Sequence, residues 1–197
     1  MKKRTALIGV LASLMPIGQI LMIGTGAYFT STVLMTAFPL KVNAETAQFY
    51  LRRADEKLVR KDYYGAISDY TRVIEIGYSN SYPIRRRGRA KYYLGDFSGA
   101  LSDFNKAIKK EPGIRFSYQF RGDTKADMGN NYGAISDYIR AIEIDPNDPY
   151  SCLFSGYAKL NLKDINGACF DWRIAKRKDT KNIFKSIDFV LSSYCTN

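Results

Sequence analysis

One hexapeptide pattern, Gly-Ala followed by two residues, an aspartate and an aromatic ring, occurs four times in a single register. It reads Gly65 to Tyr70, Gly99 to Phe104, Gly133 to Tyr138 and Gly167 to Trp172, so successive glycines lie 34 residues apart with no insertion. An unbroken period of this length marks a solenoid, in which each unit is one supersecondary element stacked on its neighbours. Whatever the chain does, it does on stacked repeats.

Each copy opens a run with helical spacing. Ala100, Leu101, Phe104, Ala107 and Ile108 fall at i, i+1, i+4, i+7 and i+8, one face of a helix and not the alternation of a strand. Ala66, Tyr70, Val73 and Ile74 repeat that face, as do Ala134, Tyr138, Ala141 and Ile142. Upstream, beyond turns such as Leu94-Gly95-Asp96 and Met128-Gly129-Asn130, lies another helical stretch with Gly88, Gly122 or Gly156 at its middle. Ala100 and Ala134 are expected to press against Gly88 and Gly122. Pro112 and Pro146 close the second helix, since proline cannot continue it. Two helices of about 14 residues, each roughly 20 Å long, cannot bury their own apolar face, so neighbouring pairs must stack on them.

The 34-residue period, the small residue in the first helix, Ala-x-x-x-aromatic in the second and the closing proline resemble tetratricopeptide repeats. The resemblance covers about residues 47–178. It implies an all-α fold, a right-handed α-solenoid with four repeats at about 47–80, 81–114, 115–148 and 149–178. The fourth copy is worn, because Lys176 and Lys178 stand where the third has Ile142 and Ile144. After it, Ile183, Phe184, Ile187, Val190, Leu191 and Tyr194 mark an amphipathic helix, with Asp179 or Thr180 as candidate N-cap. Residues 179–197 are read as a C-terminal capping helix and tail.

The chain departs from the family pattern in its charges. Where that pattern often has leucine and tyrosine, it places Arg53, Arg87 and Arg121, with Ser155 in the fourth copy, and Lys57, Lys91, Lys125 and Lys159. Asp69, Asp103, Asp137 and Asp171 recur on the partner helix. Two readings are open, a ladder clipping each helix pair together at about 0.2–1 kcal/mol per exposed pair, or ligand binding.

Residues 1–44 are a different material. They contain no Asp or Glu, begin Met1-Lys2-Lys3-Arg4 and run almost uncharged from Thr5 to Leu40, as a signal peptide or membrane anchor does. Val42-Asn43-Ala44 offers a cleavage site that would release Glu45 as the new terminus. A cleaved signal or an uncleaved anchor would place the repeats outside the cytoplasm, in periplasm or thylakoid lumen. A hairpin of 6–23 and 27–40 would return them to the cytoplasmic face, although 14 residues fall short of the roughly 20 that a spanning helix needs. Lys41, Arg52, Arg53, Lys57, Arg60 and Lys61 lie close behind the run, so flanking charge leaves the orientation open. The stretch Leu7 to Gln19 resembles leaders on short repeat proteins of photosynthetic bacteria, which implies a periplasmic, lumenal or membrane-attached protein.

The function classes narrow by what is missing. There is no histidine, hence no Ser-His or Cys-His nucleophile pair, and no GxxxxGK[ST], GxSxG or GxGxxG. No catalytic residue, metal site or cofactor is expected. An interaction module is the first hypothesis; its rival is an enzyme using Asp, Glu, Lys or Tyr on this scaffold. Residues 45–197 carry 26 Lys and Arg against 19 Asp and Glu, a net +7 that suits anionic partners: an acidic protein or peptide, anionic lipid or nucleic acid. Nucleic acid is disfavoured, since no recognition motif accompanies the charge. The three cysteines allow one disulfide. If the repeats are exported, Cys169 with Cys195 would staple the cap to the last repeat and leave Cys152 free; three reduced cysteines are the alternative.

The resemblance also implies a concave face lined by the first helices. The stripes that would line it are Gln48/Leu51/Asp55/Leu58, Tyr82/Arg85/Arg89/Tyr92, Phe116/Gln119/Asp123/Ala126 and Tyr150/Leu153/Tyr157/Leu160. Ten of these, Tyr82, Arg85, Arg89, Tyr92, Phe116, Gln119, Asp123, Tyr150, Leu153 and Tyr157, are taken as candidate partner contacts. Some tetratricopeptide proteins clamp a chaperone's terminal carboxylate with lysine and asparagine in the first helix. Leu51 and Asp55 stand there instead.

Overall fold

The computed structural model describes residues 34–179 and 186–195, and among these every regular element is a helix. In chain order they are α1 (Leu34–Val59), α2 (Tyr63–Glu75), α3 (Tyr82–Tyr93), α4 (Phe97–Lys110), α5 (Arg115–Asp127), α6 (Asn131–Ile144), α7 (Pro149–Asn161), α8 (Ile165–Lys178) and α9 (Ser186–Tyr194). From α2 onward each helix packs on the next, and the first helices of adjacent pairs also touch, α3 on α5 and α5 on α7. This is the stacking of helix pairs that defines an α-solenoid. The repeats belong to a unit spanning Pro39–Asn197, separate from Met1–Phe38. The signal or anchor reading rests chiefly on 1–33, outside the described residues. Among the described residues, no helix is long and apolar enough to cross a membrane.

The turn inside each pair is built the same way four times. Lys61, Gly95, Gly129 and Lys163 each take a positive φ, between 63° and 80°, that turns the chain out of the first helix. The following residue, Asp62, Asp96, Asn130 or Asp164, returns its N–H to a carbonyl of that helix five residues back. Its side chain then caps the second helix by accepting from the N–H of Gly65, Gly99, Gly133 or Gly167 at 2.9–3.0 Å. A Cβ on any of those glycines would come within 2.6 Å or less of the cap's side chain. The glycine that announces the period is therefore there to clear its own cap.

The middle of each first helix meets a ring. A Cβ added to Gly88 would lie 2.9 Å from Phe104, one on Gly122 2.9 Å from Tyr138, and one on Gly156 2.3 Å from Trp172. These three rings are essentially inaccessible, as is Tyr70, which shares a core with Ala54 of α1. This corrects the expected pairing by one helical turn. Gly88 and Gly122 face the aromatic residue and not the alanine before it. Ala134 instead shares a core with Ala158, and Ala66 with Ala90, 24 residues on in the next pair. One small residue closes the pair and the other lets the next pair approach.

Across each pair the charge ladder forms, but not on the surface. Arg87 grips Asp103 with two parallel bonds of 2.8 and 2.9 Å while Lys91 reaches the same carboxylate at 2.8 Å. Arg121 and Lys125 hold Asp137 likewise, at 2.5–2.9 Å, and Arg53 and Lys57 hold Asp69 at 2.6–2.9 Å. In the fourth copy the Ser155 hydroxyl donates to Asp171 at 2.6 Å beside Lys159 at 2.7 Å. The four aspartates are at most 9% exposed, so a figure for exposed pairs does not apply. Removing one partner of such a buried pair typically costs about 3–5 kcal/mol, because the other charge is stranded. Burial raises the Asp69 pKa, but the bonds from Arg53 and Lys57 prevail and hold it below the ordinary carboxylate range.

At the C-terminal end, Ile187 and Val190 of α9 are buried against Cys152, Leu153, Cys169 and Trp172. Cys169 and Cys195 are joined as a disulfide with their Cα atoms 5.6 Å apart, and Cys152 is a buried free thiol. Asp179 serves as the C-cap of α8, and the segment that leads from it into α9 lies outside the described residues. Thr180, Ile183 and Phe184 lie outside the described residues.

Two outcomes are expected. Ala134→Leu overpacks the contact between the third and fourth pairs and should lower stability by about 1–3 kcal/mol in urea unfolding, whereas Lys109→Ala on the exposed face should change it by less than about 0.5 kcal/mol. Asn105 is no neutral control, because its side-chain carbonyl accepts from Arg121 at 2.6 Å. Lys163→Gly and Lys61→Gly relieve a left-handed backbone at a side-chain-bearing residue and should each raise stability by about 1 kcal/mol. Unchanged melting of both would contradict this account of the turn.

Candidate partner-binding site

The candidate contacts lie on α3, α5 and α7, the first helices of the second, third and fourth pairs. At the α3/α5 junction the Arg85 guanidinium stands 5.4 Å from the centre of the Tyr82 ring and 5.7 Å from that of Phe116. Its Nε is buried without a hydrogen-bond partner, and burial followed by neighbouring Arg86 pushes its pKa below the usual arginine range. One turn further, Arg89 lies over Phe120 at 5.1 Å and Tyr93 at 5.4 Å and donates only to the Tyr93 hydroxyl. Neither arginine forms an ion pair among the described residues, and the remaining residues contain no Asp or Glu. Phe116, 42% exposed, completes the patch. Both cations are thus held beside aromatic rings without a direct ion pair among the described residues, and the nearby carboxylate of Glu111 acts on Arg85 only through its charge.

The other candidates are engaged internally to differing degrees. Gln119, 3% exposed, donates to Asp148 at 2.5 Å and to Ser151 at 2.9 Å. Leu153 is 2% exposed, and its carbonyl accepts from the Trp172 indole at 3.1 Å. Both hold α5, α7 and α8 in place and have little surface to offer a ligand. Tyr92 donates to Asp127 at 2.6 Å, Tyr150 stacks on Phe154 at 4.2 Å, and Tyr157 meets Trp172 edge-on at 5.4 Å. These half-buried rings form the wall of the face.

Asp123 belongs to a motif that the 34-residue period hides. It accepts from the Tyr138 hydroxyl at 2.8 Å and from Tyr150 of the next pair at 2.6 Å. Two repeats earlier, Asp55 accepts from Tyr70 at 2.5 Å and from Tyr82 at 2.9 Å, with Arg86 3.4 Å away. The intervening repeat has Arg89, Phe104 and Phe116 at the matching positions, with no hydroxyl and no acid. The Asp–Tyr–Tyr set thus occurs in the first and third repeats, 68 residues apart, and the fourth has Tyr157 and Trp172 at the first two of these positions. A visible signal exists: residues 65–76 and 133–144 agree at ten of twelve positions, and every Asp on this stripe goes with a Tyr fifteen residues later.

Burial lifts the Asp123 carboxyl to about 6, against the two tyrosine hydrogen bonds that lower it, and nearby Asp127 adds to the rise. The folded state thus holds this proton more tightly than the unfolded chain, where a carboxyl titrates near 3.9. The stabilisation is complete below about pH 4 and is lost as pH rises through about 6. Relative to Asp123→Asn, the wild type should therefore lose about 2–3 kcal/mol of unfolding free energy between pH 4 and pH 7. A pH-independent difference between the two proteins would remove Asp123 as the titrating group.

Comparison with known proteins places this geometry. Residues 117–148 match the tetratricopeptide repeat family model. No curated protein matches the sequence. Among solved structures, MamA 41-end from Desulfovibrio magneticus RS-1 superposes with a TM-score of 0.65 at 17% identity, over 75% of this chain and 84% of that one. The first tetratricopeptide domain of human RPAP3 gives 0.58 at 23% identity over 60% and 94%. The Arabidopsis OM64 tetratricopeptide domain gives 0.56 at 20% over 62% and 98%. The chain carries a tetratricopeptide repeat at 117–148, and its stacked helix pairs form a tetratricopeptide-repeat solenoid.

Proposed function

We propose that this protein is a non-catalytic scaffold that holds an acidic segment of a partner protein across α3, α5 and α7. The observation that carries the reading is the arginine pair. Arg85 and Arg89 are partly withdrawn from water beside Tyr82, Phe116 and Phe120, yet neither is in a direct ion pair among the described residues, Glu111 acting on Arg85 only through its charge, while the ladder arginines each grip an aspartate. Leaving a cation in this condition costs free energy, and a partner's carboxylate recovers it with a bidentate bond. Aromatic and arginine anchors are also the side chains that dominate binding energy at interfaces. A structural neighbour, the first tetratricopeptide domain of Spaghetti (RPAP3), is bound to the HSP90 peptide SRMEEVD, which supports peptide binding on this architecture.

That peptide is not the proposed ligand here. The Asp55 carboxylate stands in the first helix's inner stripe, held by Tyr70, Tyr82 and Arg86, and repels a terminal carboxylate approaching Leu51. The acid-free apolar run before Leu40 and the Cys169–Cys195 disulfide both support export to an oxidising compartment or attachment to a membrane facing one.

The test is a crosslinked capture from native membranes, repeated with the folded Arg85→Ala/Arg89→Ala variant. The captured partner should be weakened by about tenfold or more, and SRMEEVD should bind no tighter to wild type than to the variant. Equal capture by both proteins would take the groove out of the reading.

A further inference from the structure

A second recess lies at the other end of the repeats, between the outer face of α8 and the flank of α9. It is an open recess of about 630 Å³, lined by Phe170, Arg173, Lys176, Arg177 and Leu191. Its floor is apolar: Phe170 is 61% exposed although a phenylalanine at the edge of a core would ordinarily turn inward, and Leu191 is half-buried beside it. Its rim is cationic. Lys176 is paired with Asp188, but Arg173 reaches only the Cys195 carbonyl at 3.5 Å, and Arg177 forms no ion pair among the described residues. The undescribed residues 180–185 contain no acid that could supply one.

We infer that this recess is a second docking site, for an acidic segment of a partner protein that inserts an aromatic or aliphatic side chain between Phe170 and Leu191. Charge complementarity selects the partner. Two guanidiniums without an ion pair among the described residues, flanking an apolar floor, fit a large apolar residue bordered by Glu or Asp, which would accept bidentate bonds from Arg173 and Arg177. A recess between two helices admits a side chain, whereas a lipid surface would leave it unfilled. Cys195, disulfide-bonded to Cys169 next to Phe170, fixes α9 against α8. The wall that Leu191 provides is thus held by the disulfide together with the buried Ile187 and Val190.

The site is independent of the Arg85/Arg89 groove, and the experiment keeps them apart. The oxidised full-length chain is titrated with a fluorescent peptide, Glu-Glu-Phe-Glu-Glu-Leu-Glu-Glu, and with a control in which Phe and Leu are replaced by Ser. In the Arg85→Ala/Arg89→Ala background, which removes binding at the α3 face, Phe170→Ala/Arg177→Glu should weaken the remaining peptide binding by about tenfold or more, and Arg177→Gln alone by less. Both Phe170 and Arg177 are exposed, so a wild-type thermal melt is expected for the variants and checks the fold. The inference is overturned if adding Phe170→Ala/Arg177→Glu leaves peptide binding by the Arg85→Ala/Arg89→Ala background unchanged, or if the Ser control binds as well as the peptide. It is equally overturned if only vesicles of phosphatidylglycerol and phosphatidylcholine bind, and lose binding in that variant.

Discussion

The contact between a small residue in the first helix and an aromatic ring in the second sets the geometry on which the other interactions depend. With Gly88, Gly122 or Gly156 beneath Phe104, Tyr138 or Trp172, the two backbones come close enough for a ring to fill the seam completely. Only at that separation can Arg87 and Lys91, one turn apart on α3, converge on a single aspartate of α4. The ladder is thus a consequence of the packing and not its cause. In Coulombic terms this is sound: a buried ion pair barely offsets its own desolvation, whereas a ring removed from water contributes about 25 cal/mol per Å². The ladder's contribution is specificity, since a register slip of the pair would strand every aspartate in the core.

The same seam explains why chemistry on the binding face alternates. A phenolic ring carries its hydroxyl through the seam to the inner face, where Asp55 or Asp123 accepts it together with a second tyrosine from the next pair. Where the ring is Phe104, nothing emerges, and the position is free to hold Arg89. The core residue of one helix therefore decides whether the face above it is acidic or basic. The cationic second repeat lies between two repeats whose carboxylates are already satisfied, so the face has one electrostatic focus.

Much of the fold was legible because solenoids write their contacts at fixed spacing. The period, the ring at Phe104 and the closing Pro112 each follow from local rules that no distant contact can override. Three things were not legible. The glycine at 99 was readable as a small residue, but its partner, the cap Asp96, lies three residues upstream and is identified only by a backbone hydrogen bond. The burial of Asp103 was hidden because Arg87 and Lys91 look like solvated charges in sequence; their stems cover the aspartate they bind. On the binding face, stripe positions were assigned by spacing alone, and spacing could not foresee that Asp148 and Ser151 would draw Gln119 inward.

The net charge of the repeats acquires a different meaning once the ladder is subtracted. Seven of the Lys and Arg are committed to Asp69, Asp103, Asp137 and Asp171, where they neutralise buried carboxylates and project little field. The exterior field comes from cations without such partners, and those argued above cluster at two places, the α3 face with Arg85 and Arg89 and the α8 flank with Arg173 and Arg177. A partner is attracted by the sum of these charges over roughly a Debye length of 8–10 Å. It is retained only where a guanidinium is already oriented over an aromatic ring or beside an apolar floor. Long-range attraction and short-range fit therefore select the same two surfaces, and the structural charges of the ladder do not compete with either.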